Sequence, residues 1–255
     1  MLDSIAGRMF ITSIKVEGTM STHNTISKVE LKNKPLIPIL LVGLIPSASV
    51  IFGIEIIENE FYSQIFFALC KIWIFLVPTF WYLRVEEGSI SKNFPTKEGI
   101  TFGLITGLSM SLIIMITWFL FDETLDILGM VEILQSKGLD NLNLYIVGMI
   151  YWIFINSLLE EYVFRWFITT KSAELFGSNS IGIIFSAAMF TLHHAIALHL
   201  FGFIWWQTII ACFGLLSAAA IWSWLYLKYR SIWVCWLSHA ICDIAVFGIG
   251  YTILF

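Results

Sequence analysis

GITFGLITGLSMSLIIMITWFLF, residues 99 to 121, is a run of 23 residues without one charged side chain. An α-helix rises 1.5 Å per residue, so about 20 apolar residues cross the hydrocarbon core of a bilayer. Six further stretches read the same way, at about 35 to 57, 62 to 83, 144 to 168, 180 to 201, 203 to 227 and 231 to 254. The fifth and sixth spans almost run together around Gly202, and Asp122 to Asn143 has room for a short interfacial helix. Composition agrees. Of 255 residues 58% are hydrophobic and 13% charged, with a mean hydropathy of +0.86, whereas soluble domains carry roughly 25% charged residues. A soluble fold of this size has too much water-facing surface for that balance. The apolar surplus faces lipid, where unsatisfied backbone groups are too costly for open structures other than helices. The expected fold is therefore all-α, a multi-pass transmembrane helical bundle of about seven spans, with eight helices if the interfacial one forms.

Basic residues give the orientation, because cytoplasmic loops hold an excess of Lys and Arg. Arg8, Lys15, Lys28, Lys32, Lys34, Arg84, Lys92, Lys97, Lys171, Lys228 and Arg230 all fall on one side of a seven-span chain. The other side has Lys137 alone, in a loop with Asp122, Glu123, Asp126, Glu132 and Asp140. That eleven-to-one split places the N-terminus in the cytoplasm and the C-terminus outside. Residues 1–34 form a polar head expected to be poorly ordered, with no apolar run long enough for a secretory signal and with Met20 as an alternative start. Residues 35–255 read as a single transmembrane domain without linker or repeat. A net charge of −4 and the absence of a basic run argue against nucleic-acid binding. Cys70, Cys212, Cys235 and Cys242 all fall inside spans, as buried thiols would. Trp205, Trp206, Tyr226 and Tyr229 near span ends suit interfacial belts.

Against this background the ionisable residues inside spans are expensive, at about 2.5–3.5 kcal/mol each on insertion scales, and such residues usually face the bundle interior and serve a function. Spans four, five and seven hold nearly all of them. In span four, Glu161 and Arg165 are four apart on one helical face, in the order that favours an ion pair. Glu160 lies about 100° round the helix and is left available for chemistry. A purely structural ion pair, with Glu160 reaching the surface, is the competing reading. Span five carries His193, His194 and His199; His193 and His199 are expected in packing or interfacial roles. Span seven carries His239 and Asp243, again four apart, where the carboxylate can orient the imidazole. By residue count Glu160 and His239 each lie about 12 Å from the cytoplasmic ends of their spans and share a layer, whereas His194 comes out at about 21 Å, too deep to meet them unless span five begins nearer Ile183 or is tilted.

These residues resemble the motifs of the CPBP intramembrane proteases, the family of CAAX proteases and bacteriocin-processing enzymes. The family pattern is E-E-x-x-x-R, then F-x-x-x-H, then H-x-x-x-N or a close variant, here Glu160 to Arg165, Phe190 to His194, and His239 to Asp243. The likeness covers about the last 110 residues, with the core at about 144–255, and it selects His194 over His193. What it implies is an endopeptidase cutting near the cytoplasmic half of a membrane, expected to be the plasma membrane. The substrate would be a peptide or protein, prenylated in some members and a leader peptide in others. By the resemblance Glu160 and His194 activate water, Glu161 and Arg165 hold the geometry, and His239 with residue 243 stabilises the oxyanion. Asp243 departs from the usual Asn: an ionised Asp only accepts hydrogen bonds, so it more readily orients His239 as imidazolium. Zinc on Glu160, His194 and His239 is an alternative to metal-free water activation, toward which the reading leans. A non-catalytic, partner-binding scaffold or immunity-type member also stays open. A haem or transport protein using His194 and His239 is a further alternative, though spans four and seven lack the interruptions transporters show.

Overall fold

The structure is a computed structural model that describes residues 34–89, 93–136 and 138–255. The polar head except Lys34, and the loop residues Lys92 and Lys137, lie outside the described residues. Those described form eight helices: α1 Leu36–Ile56, α2 Glu60–Val85, α3 Lys97–Thr124, α4 Ile127–Ser136, α5 Leu142–Phe176, α6 Asn179–Leu200, α7 Trp205–Tyr229 and α8 Ile232–Leu254. Seven are long and apolar enough to cross a membrane, and α4 is the short helix for which the segment between the third and fourth spans had room. The chain is an all-helical, multi-pass membrane protein.

Local chemistry sets the boundaries. Asn59, Thr96, Asn141 and Ser178 precede α2, α3, α5 and α6, and each side chain accepts a hydrogen bond from a first-turn backbone N–H. Gly177 ends α5 at φ 63°, and Gly202, at φ 86°, turns the chain between α6 and α7. That one left-handed glycine separates two spans which the hydropathy nearly merges.

The largest difference from expectation is in span four, which runs on to Phe176 instead of ending near residue 168. The added turns are polar, and Thr169 and Lys171 among them are answered by protein. Lys171 Nζ lies 2.7 Å from Glu86 Oε1 and 2.6 Å from Glu174 Oε2, and Thr169 and Ser172 are fully buried. This removes the depth mismatch. Glu160 precedes the end of α5 by 16 residues and His194 follows the start of α6 by 15, so the antiparallel pair brings them to one layer. The middle of α5 is also widened into π-helical turns at Tyr151–Asn156 and Glu161–Thr169. The Phe164 carbonyl accepts from Thr169 Oγ1 at 2.8 Å and from Ser186 Oγ of α6 at 2.7 Å. Side chains thus satisfy a backbone group that the altered turn would otherwise leave bare in hydrocarbon.

Helices α5, α6, α7 and α8 share a core that includes Phe164, Phe167, Phe190, Trp222, Leu225 and Val234. α3 stands at its edge, with only 6% of its apolar window buried and Leu108, Leu112, Ile113 and Phe119 exposed. It holds to α8 along Gly99, Gly103 and Gly107, a stripe of glycines four apart that the sequence reading passed over. A Cβ on Gly103 would come 2.8 Å from the Val234 carbonyl oxygen, and one on Gly107 3.0 Å from Ser238 Cα. Close backbone approach of this kind is how helices associate where lipid gives no hydrophobic drive. Gly103→Leu is expected to destabilise the bundle by about 1–3 kcal/mol through overpacking. Gly214→Leu serves as control, since nothing lies within 4 Å of its Cβ position. Unfolding midpoints in detergent measure both, and equal midpoints would contradict the packing argument.

Candidate active site

α5 supplies two adjacent carboxylates with different surroundings. Glu161 and Arg165 are both fully buried, and Arg165 Nε donates to Glu161 Oε2 at 3.2 Å. The guanidinium carbon lies 4.5 Å from the Phe190 ring centroid and 5.3 Å from that of Trp222. Aromatic faces thereby stand where further hydrogen-bond partners would. The other Glu161 oxygen, Oε1, accepts from His239 Nδ1 of α8 at 2.8 Å. His239 is stacked on Trp222 with ring centroids 4.2 Å apart, and Trp222 Nε1 in turn donates to Ser238 Oγ at 3.0 Å. Its free Nε2 faces Asp243 Oδ1 at 3.5 Å and Glu160 Oε2 at 3.9 Å. Three carboxylates therefore surround one imidazole.

Glu160 is 8% exposed. Its Oε1 accepts from Asn156 Nδ2 at 2.8 Å, one turn earlier on α5, and lies 3.9 Å from His193 Nε2. His194, beside it on α6, places Nδ1 3.0 Å from the Phe190 carbonyl. Donation to that oxygen fixes Nδ1 as the protonated nitrogen and leaves Nε2 as an acceptor in the neutral ring. One donor atom each from Glu160, His193 and His194 lie within 4.8 Å of one another.

All six residues singled out in the sequence, Glu160, Glu161, Arg165, His194, His239 and Asp243, therefore meet in one layer, with His194 and Asp243 half-buried and the other four buried. His193 differs from expectation. Its ring does pack, parallel to Phe164 at 5.5 Å, but it also presents Nε2 to the Glu160 carboxylate. Alternate residues of one helix turn diverge, yet adjacent ones lie only 100° apart, and a carboxylate between them can be reached by both. His199 is exposed in the last turn of α6 and takes no part. Two contributors were missed: Asn156, and Lys71 of α2, whose Nζ donates to Asn156 Oδ1 at 2.5 Å. A lysine in the middle of an apolar span and an amide four residues before Glu160 were the available signals.

The metal alternative envisaged Glu160, His194 and His239. The donor atoms that converge are instead those of Glu160, His193 and His194, while His239 is committed to Glu161 through Nδ1. Two imidazoles and a carboxylate are a common catalytic zinc set, so the chemistry of these three residues fits such an ion. Bound there, an ion would supply a Lewis acid and acidify a coordinated water.

Residues 142–245 match the family described as type II CAAX prenyl endopeptidase Rce1-like. The chain carries an Rce1-like domain. No curated protein and no solved structure matches the chain. The Rce1-like domain begins with α5 and ends within α8, so it holds every residue of the buried polar layer except Lys71. The family is one of CAAX-type endopeptidases, whose substrates are proteins or peptides, and the cluster of Glu160, His193, His194 and His239 is consistent with a catalytic site in it.

Proposed function

We propose that this protein is an intramembrane endopeptidase that hydrolyses a peptide bond with a water activated by Glu160 and His194. The observation that carries the reading is a buried carboxylate met by imidazoles from two other helices, inside an Rce1-like domain. With Oε1 of Glu160 occupied by Asn156, Oε2 is the oxygen that takes the proton of the attacking water. His194 accepts the water's second hydrogen at Nε2, the nitrogen its bond to Phe190 leaves free. The water oxygen bonds to the scissile carbonyl carbon, whose oxygen becomes an oxyanion. His239, as imidazolium, donates from Nε2 to that oxyanion, in the way preorganised donors stabilise tetrahedral intermediates. The proton on Glu160 then passes to the leaving nitrogen as the C–N bond breaks. Glu161 and Arg165 hold His239 in place, and Asp243 Oδ1 faces the same Nε2 at 3.5 Å. The Lys and Arg distribution supports a cytoplasmic N-terminus; a plasma-membrane location and one domain over residues 35–255 belong to the same proposal.

The test is cleavage of a prenylated CAAX peptide by purified protein in detergent, alongside unprenylated and leader-type peptides, with metal analysis of the same sample. Cleavage that survives chelation with no stoichiometric metal is the expected result. Activity lost on chelation and restored by zinc assigns the water to an ion on Glu160, His193 and His194. Failure to cut any of the peptides favours a binding scaffold.

A further inference from the structure

Lys71 lies outside the Rce1-like domain, in the middle of α2, a helix whose neighbouring residues are apolar and partly exposed to lipid. An ammonium at that depth is retained only where protein groups replace its water. The stem runs past Phe67, with Nζ 5.0 Å from the ring centroid, and Nζ ends on Asn156 Oδ1 at 2.5 Å. The Asn156 amide has its orientation imposed from both sides. Its oxygen must face the ammonium, which only donates, and its nitrogen must face the carboxylate, which only accepts. Asn156 Nδ2 then donates to Glu160 Oε1 at 2.8 Å. Both bonds run in one direction, from a cation through a buried amide to the carboxylate at the centre of the site, and aligned bonds of this kind polarise one another.

Resting on the function proposed above, we infer that Lys71 is a positioning residue for the water-activating carboxylate and acts on it through Asn156. The pair occupies Oε1, so a single oxygen, Oε2, is presented to water on the side where His239 lies. It also ties α2 to the catalytic layer, so that a helix outside the Rce1-like domain takes part in the chemistry. A merely structural hydrogen bond would show in stability and leave turnover of the folded protein unchanged.

The experiment is steady-state cleavage of the prenylated CAAX peptide by full-length Lys71→Met, Lys71→Arg, Asn156→Leu and Lys71→Met/Asn156→Leu, with Glu160→Gln in parallel. Lys71→Met and Asn156→Leu are each expected to lower kcat by roughly 10- to 100-fold, the usual cost of losing a supporting partner. KM should stay within about two-fold, as for an interaction made to the catalytic group and not to substrate. The double variant should be no worse than the more severe single one, and Lys71→Arg should recover much of kcat. Wild-type kcat in Lys71→Met beside an inactive Glu160→Gln overturns this inference alone. An active Glu160→Gln overturns the proposed function and this inference with it. Should Lys71→Met fail to fold, Asn156→Leu carries the test, and wild-type kcat there overturns it equally.

Discussion

Glu160→Gln is expected to keep its fold and lose between about 10²- and 10⁴-fold in kcat, the usual contribution of a positioned general base. Glutamine has the same shape, and its amide oxygen can still accept from Asn156 Nδ2, so the Lys71–Asn156 arm stays satisfied. What disappears is the group that takes the water's proton and later gives it to the leaving nitrogen. Binding of the peptide does not use that proton, so KM should move little. Single-turnover cleavage in detergent, with unfolding monitored on the same preparation, separates the two effects. A Glu160→Gln protein that keeps more than about a tenth of wild-type kcat is incompatible with Glu160 as the base.

Arg165→Met is the substitution with the largest expected effect on stability. Arg165 and Glu161 are both wholly buried and 3.2 Å apart. Removing one member of such a pair leaves an uncompensated charge and is destabilising by about 3–5 kcal/mol. The damage should extend to the site, because Glu161 also accepts from His239 at 2.8 Å. Glu161→Gln/Arg165→Met should be less destabilised than Arg165→Met alone, since no charge is then left unpaired. Unfolding midpoints in detergent decide it. An Arg165→Met protein as stable as wild type would show that the pair is not what holds α5 to α8.

The number of spans, the short fourth helix and the polar residues that meet from α5, α6 and α8 were legible because each follows from local sequence. Apolar length reports a span, and spacing four apart reports a shared helical face. The pairing of Glu161 with Arg165 is of this kind. The end of α5 was not legible. Thr169 to Glu174 is polar, and hydropathy measures suitability for lipid, not continuation of a helix whose polar groups are met by Glu86 and Ser223 from other elements. That one boundary carried the false depth assigned to His194. The glycine stripe of α3 looks like any apolar run until α8 is laid against it. Lys71 and Asn156 come together across 85 positions of sequence, and no periodicity within either span points to the other. His193 was set aside because family motifs single out one histidine, whereas the geometry gives Glu160 a neighbour on each side.

Membrane helices enter the bilayer before they find one another, and α5 must do so while carrying five charged side chains, of which Lys171 and Glu174 pair with each other. Two of them, Glu161 and Arg165, already answer each other within a single turn of the same helix. Glu160 is therefore the one carboxylate left without an ionic partner within α5, and its charged neighbours come from other helices. His239 then docks on the Glu161 oxygen that Arg165 leaves unused. The same pair that steadies the folded bundle therefore also lowers the net charge that α5 carries into the bilayer on its own.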